Sequence, residues 1–193
     1  PLAEASMKRL LERDAAAMDS AARAEIEMLL DTIRELDDNA YKASPEAAGL
    51  LAKYLRRVAG NPRQALVVYQ EGLAANPNSY YLADLVAQTQ LEQGMTEDAQ
   101  ASFRLALTII ERLDENNIWS HATAATACVG LGDLQGARRH LESLVAFSQP
   151  LSESQVDSIA RGIREVAKRS GIATGDEAGL LEVLGARRVE GVR

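Results

Sequence analysis

Glycines 60, 94 and 132 recur at intervals of 34 and 38 residues, and the same succession follows each of them. Five residues on stands an alanine (Ala65, Ala99, Ala137), and four beyond that a large apolar residue (Tyr69, Phe103, Leu141). A period in this range marks one supersecondary unit stacked on its neighbours, and it bounds the fold more tightly than any single segment can. Each unit reads as helix, turn, helix, with turns Gly60-Asn61-Pro62, Gly94-Met95-Thr96 and Gly132-Asp133-Leu134. The glycine is expected in the left-handed conformation that ends the first helix. The alanine lets the second helix approach closely, and the large residue fills the space between the two.

Composition agrees with helices throughout. Of 193 residues, 33 are Ala and 25 Leu, two of the best helix formers, and only five are Pro. β-branched residues never alternate over a strand-length window, so the expected class is all-α. Residues 2–38 carry an apolar stripe from Met7 through Met18 and Leu29 to Leu36, on one helix or on two broken near Asp19-Ser20. That stripe is either a coiled-coil seam or a cap on the first repeat, and the second is favoured because Ala15 and Ala22 would make a shallow seam. Ser44-Pro45-Glu46 restarts a helix with Ser44 as N-cap. Four residues beyond a regular period, 114–117, predict a long helix from Glu97 to near Asp114. Pro150 closes the third unit, and Ser152-Glu153-Ser154-Gln155 is a capping box for a helix to about Ser170, with Val156, Ile159, Ile163, Val166 and Ala167 as its apolar face. Residues 171–179 read as a flexible, glycine-rich loop before a short helix from Leu180 to Leu184, and 185–193 as a tail.

The three units resemble the tetratricopeptide repeat, a 34-residue helix-turn-helix with small residues at positions 8, 20 and 27, an aromatic at 24 and proline at 32. Unit 46–79 supplies Ala65, Tyr69, Gly72 and Pro77, with Lys53 departing at position 8; unit 80–113 supplies Ala87, Ala99, Phe103 and Ala106, with Glu111 in place of proline; unit 118–151 supplies Ala125 and Ala137, with Leu141 and Leu144 at the next two positions. A narrower resemblance, in Trp119-Ser120, Ala122-Thr123 and Leu131-Gly132-Asp133, is to bacterial repeat proteins related to the TRAF-binding domain of MAP kinase kinase kinases. The resemblance implies a right-handed α-solenoid over 46–151, flanked by an N-terminal helix or hairpin in 1–45 and a C-terminal capping helix and tail in 152–193. It also implies a concave face made by the first helix of each unit, binding a peptide or a partner helix. The positions carried over to that face include Tyr54, Arg57, Tyr81, Asp84, Gln88, Trp119 and Thr126, with the three aromatics as anchors. A Lys/Asn clamp for a C-terminal carboxylate is disfavoured, because Asp84 and Gln88 stand at the clamp positions of the second unit.

The inventory for chemistry is poor, and no catalytic residue, metal site or cofactor is expected. His121 and Cys128 share a helix face but lie about 10 Å apart along its axis, too far for a nucleophile and its base. Cys128 is expected as a small buried hydrophobe and His140, next to Arg138-Arg139, on a solvated face. Asp37-Asp38 and Asp114-Glu115 are expected as helix-end and loop charges. Gly171, Gly175 and Gly179 lack the lysine and preceding strand of a phosphate loop. Twenty-one basic against 28 acidic side chains, a net charge of −7, argue against a nucleic-acid partner, and Arg161, Arg164, Lys168 and Arg169 lack aromatics for base stacking. No apolar run approaches a membrane span, residues 1–15 carry charges instead of a signal peptide, and one lone cysteine fits a cytoplasmic setting. The expectation is therefore a protein- or peptide-binding module, monomeric or weakly dimeric through the N-terminal helix. The alternative is a regulatory segment of a larger signalling or catalytic polypeptide with its ligand in the same protein, since the chain opens on Pro1 and its tail shows no period.

Overall fold

A computed structural model describes residues 40–147 and 151–185. The stripe from Met7 to Leu36, the dimer through it, Pro150 and the tail beyond 185 lie outside the described residues. Within them a 3-10 turn, Ala40–Ala43, precedes eight α-helices: α1 (Pro45–Arg57), α2 (Pro62–Ala75), α3 (Tyr80–Glu92), α4 (Thr96–Leu113), α5 (Ile118–Leu131), α6 (Leu134–Ala146), α7 (Glu153–Arg169) and α8 (Thr174–Gly185). No strand occurs among the described residues, and none of these helices is long and apolar enough to cross a membrane. The chain forms two compact units that divide between Thr89 and Gln90, inside α3.

In the first unit, Ser44 Oγ accepts from Ala47 N at 3.1 Å and Pro45 occupies the first turn of α1, where its missing N–H costs nothing. Gly60 turns the chain at φ +64°, and Asn61 Oδ1 caps α2 by accepting from Gln64 N at 3.1 Å. The core combines Ala48, Ala52, Tyr54 and Leu55 of α1, Ala65, Leu66, Val68 and Tyr69 of α2, and Leu82 and Val86 of α3. Gly72 is required by proximity: a Cβ there would stand 2.6 Å from Ala48 Cβ. The 3-10 turn is tied to α2, because the Tyr41 hydroxyl donates to the Glu71 carboxylate, Lys42 Nζ pairs with it at 3.3 Å, and Asn76 Nδ2 donates to Lys42 O at 3.0 Å.

The second unit is centred on α5, against which α4, α6 and α7 all pack. α4 ends at Leu113, with Asp114 in the left-handed region at φ 50°. Asn117 then caps α5: its Oδ1 accepts from Trp119 N and Ser120 N, each at 2.9 Å, while Ser120 Oγ accepts from Asn117 N at 3.0 Å. Gly132 (φ 79°) closes α5, and Asp133 Oδ1 opens α6 by accepting from Gly136 N at 2.8 Å. The capping box of α7 forms between Ser152 and Gln155, and the predicted apolar face of α7 is buried together with Ala160.

One segment differs from expectation. The stretch 171–179 is not a loop throughout: only Gly171 takes a positive φ, and α8 begins at Thr174. Glycine reads as flexibility in a sequence, but Gly175 and Gly179 both lie within α8. Arg138 Nη2 donates to Gly179 O at 3.4 Å, and a Cβ at Gly179 would sit 3.4 Å from the same nitrogen. Leu180 and Leu184 complete the contact of α8 with α6 and α7.

Candidate functional site

Seven residues carry the expected binding face. Five belong to the first unit and two to the second, and the structure treats them unequally.

Tyr54 is a correction. It is 8% exposed and part of the first core, because α1 turns it toward α2 and α3 instead of solvent. Arg57, in the last turn of α1, is half-buried. Tyr81 remains on the surface at 39% exposure, yet its hydroxyl is covered. The ring lies over Gly49 of α1, so close that a Cβ on Gly49 would come within 2.8 Å of the ring edge. Burial of that hydroxyl, then Tyr69, Glu46 and Asp84 nearby, push its pKa far above the usual phenol range.

Asp84 is a second correction, buried at 7% exposure. Gln88, half-buried one turn on, donates from Nε2 to Asp84 Oδ2 at 2.7 Å, while Asp84 Oδ1 has no partner. Burial pushes the carboxyl up from 3.8 to about 7, against the opposing pull of the Gln88 hydrogen bond and the Arg56 charge. Arg56 itself reaches Thr89, with Nη1 3.5 Å from Oγ1. Asp84 is thus a poorly solvated acid beneath the surface that Tyr81 and Gln88 present.

In the second unit Trp119 is half exposed, at 50%, in the first turn of α5. The Asn117–Ser120 box holds its backbone, and Asn117 Nδ2 in turn donates to Glu115 Oε2 at 2.7 Å. Thr126 is the third correction: it is buried, its hydroxyl donates to Ala122 O at 3.0 Å, and Gly162 of α7 lies over it. α7 therefore packs on the side of α5 that carries Thr126.

Cys128 is buried as expected, and burial together with Asp133 pushes its thiol up to about 11, so it is a poor nucleophile. His140 is not on a solvated face. Its Nδ1 stands 3.1 Å from Nδ1 of His121, and His121 Nε2 stands 3.0 Å from Asn116 Oδ1. Gly132 turns the chain between α5 and α6, and the packing of these two helices brings the imidazoles together. Arg169 is paired with Glu92 at 3.5 Å and Glu165 at 3.9 Å, and Arg164 with Glu177 at 4.0 Å, so two of the four cations of the α7 cluster have acidic partners. No protein-family model and no curated protein matches the chain.

Proposed function

We propose that the chain is a protein-interaction module of tetratricopeptide-type helix-turn-helix units, working in the cytoplasm and holding a peptide or partner helix on exposed aromatic anchors. What supports the repeat reading is that its signature positions are interior: Ala65 and Tyr69, Ala99, Phe103 and Ala106, and Ala137, Leu141 and Leu144 are at most 1% exposed. The binding reading is carried by one observation, the half-exposed indole of Trp119 on a helix start fixed by reciprocal hydrogen bonds. A rigid aromatic loses little freedom when a partner covers it, which is why such residues dominate interface energetics. In the first unit the corresponding set is Tyr81, Gln88 and Arg57. Tyr54, Asp84 and Thr126 serve as framework.

The test uses the full chain as bait in a native lysate, with Trp119→Ala and Tyr81→Ala compared with the parent after circular dichroism shows all three folded. Each variant should lose a captured partner by about tenfold or more, since an anchor contributes on the order of 2 kcal/mol. Retention of every partner by both folded variants would remove the aromatic-anchor reading.

A further inference from the structure

The two histidines, 19 positions apart in sequence, are the only imidazoles in the chain, and they meet through like atoms. Their rings tilt at 48° with centroids 5.4 Å apart, and the Nδ1 atoms approach to 3.1 Å. Nε2 of His121 faces Asn116 Oδ1, and the tautomer decides which ring nitrogen carries hydrogen. If the Asn116 carboxamide oxygen accepts from Nε2–H at 3.0 Å, Nδ1 of His121 is an unprotonated lone pair. His140 then supplies the one hydrogen between the rings, from its own Nδ1. Both side chains are half-buried, and Phe147 flanks the His121 ring at 5.7 Å between centroids.

This is the arrangement of a metal-ligating histidine with its outer partner. Such a histidine gives its second N–H to a fixed oxygen, which orients the ring and makes the coordinating nitrogen more basic. Two imidazole nitrogens on one first-row cation, at about 2.0–2.1 Å each, stand about 2.8 Å apart at a square-planar edge and about 3.3 Å apart at a tetrahedral one. The observed separation of 3.1 Å falls between these values.

We propose that His121 and His140 form a two-imidazole site for a first-row divalent cation of the Cu(II), Ni(II) and Zn(II) group. The cation takes the place of the hydrogen that the two rings share, and each ring swings to aim its Nδ1 at it. The displaced proton moves to Nε2 of His140, so two neutral imidazoles bind the ion with no net proton release. Among the described residues no cluster of three or more His, Cys, Asp or Glu surrounds the pair. The described residues thus supply two donors, and water completes the rest of the shell, leaving positions where ligands exchange. Affinity should follow the general order for nitrogen sites, with Cu(II) above Ni(II) and Zn(II).

Titration of the full chain with Cu(II), Ni(II) or Zn(II), followed by calorimetry and by the imidazole resonances in proton–carbon NMR, tests this. One equivalent should bind, with Zn(II) shifting the resonances of both histidines together and paramagnetic Cu(II) or Ni(II) broadening them together. His121→Ala and His140→Ala should each weaken that binding by about a hundredfold, and Asn116→Ala, in an exposed loop, by about tenfold through loss of ring orientation. If either histidine variant fails to fold, the Asn116 variant and the paired resonance shifts in the parent still decide the matter. Absence of a one-equivalent event, or binding that His140→Ala leaves unchanged, would overturn the site.

Discussion

Asp84 offers the sharpest test of the structure, because its environment makes stability depend on pH in a direction opposite to that of most acids. Its carboxyl is raised from 3.8 to about 7 by burial. Below pH 4 the folded and unfolded chains both hold the proton. Between pH 4 and pH 7 only the folded chain holds it, so folding binds a proton and stability falls as pH rises. Above pH 7 both forms are ionised, and the folded state carries the full penalty of a buried carboxylate whose Oδ1 has no hydrogen-bond partner. The linkage relation gives a loss of about 2–3 kcal/mol between pH 5 and pH 8 from this one group. Asp84→Asn removes the titration while keeping an oxygen that can accept from Gln88. Urea unfolding of parent and variant at pH 5 and pH 8 isolates the effect, because every other ionisable group is common to both proteins and cancels in the difference. The variant should gain about 2–3 kcal/mol on the parent between the two pH values. A difference that is the same at both would show that Asp84 is solvated, and its burial in the first unit would be wrong.

Three further outcomes follow from single positions. Gly94 has φ +76° and open space within 4 Å of where a Cβ would stand, so Gly94→Val should cost about 1–2 kcal/mol from backbone conformation alone, and an unchanged urea midpoint would contradict the left-handed turn. Gly130→Ala should destabilise the second unit by about 1–3 kcal/mol, because its Cβ would fall within 2.8 Å of the Phe103 ring; equal melting of parent and variant would mean that α4 and α5 are farther apart than described. The Cys128 thiol should resist an aromatic disulfide reagent in the native protein at pH 8 and react fully in urea, and rapid native labelling would show that it is not enclosed.

What was legible in the sequence was local. Ser44 with Pro45, the Ser152–Gln155 box and the turn glycines act through hydrogen bonds and dihedral angles within a few residues of themselves, so their identity and spacing define their conformation. The long α4 was legible for a similar reason, since four added residues on a regular period have few other places to go. The candidate site was less so, because burial is decided by distant neighbours. Tyr54 looks like a surface anchor until Leu82 and Val86 arrive with it in one core. Thr126 looks open until α7, more than twenty residues later, lays Gly162 over it. The meeting of His121 with His140 depends on the pairing of two helices and on the ring angles of both, and no local pattern encodes either.

α5 has nine buried residues out of fourteen, and most are Ala, Gly, Ser or Cys. Small side chains contribute little transfer free energy one by one, so this helix gains its place through the number of partners around it. Because α4, α6 and α7 each cover a part of it, no pair of these helices is a finished structure. The second unit should therefore fold and unfold as one cooperative block, and α5 should be the last of its helices to exchange backbone amide hydrogens with solvent. A chain cut before Ser152 would expose the strip of α5 that includes Thr126, and the remaining helices would meet water on a surface composed for the interior.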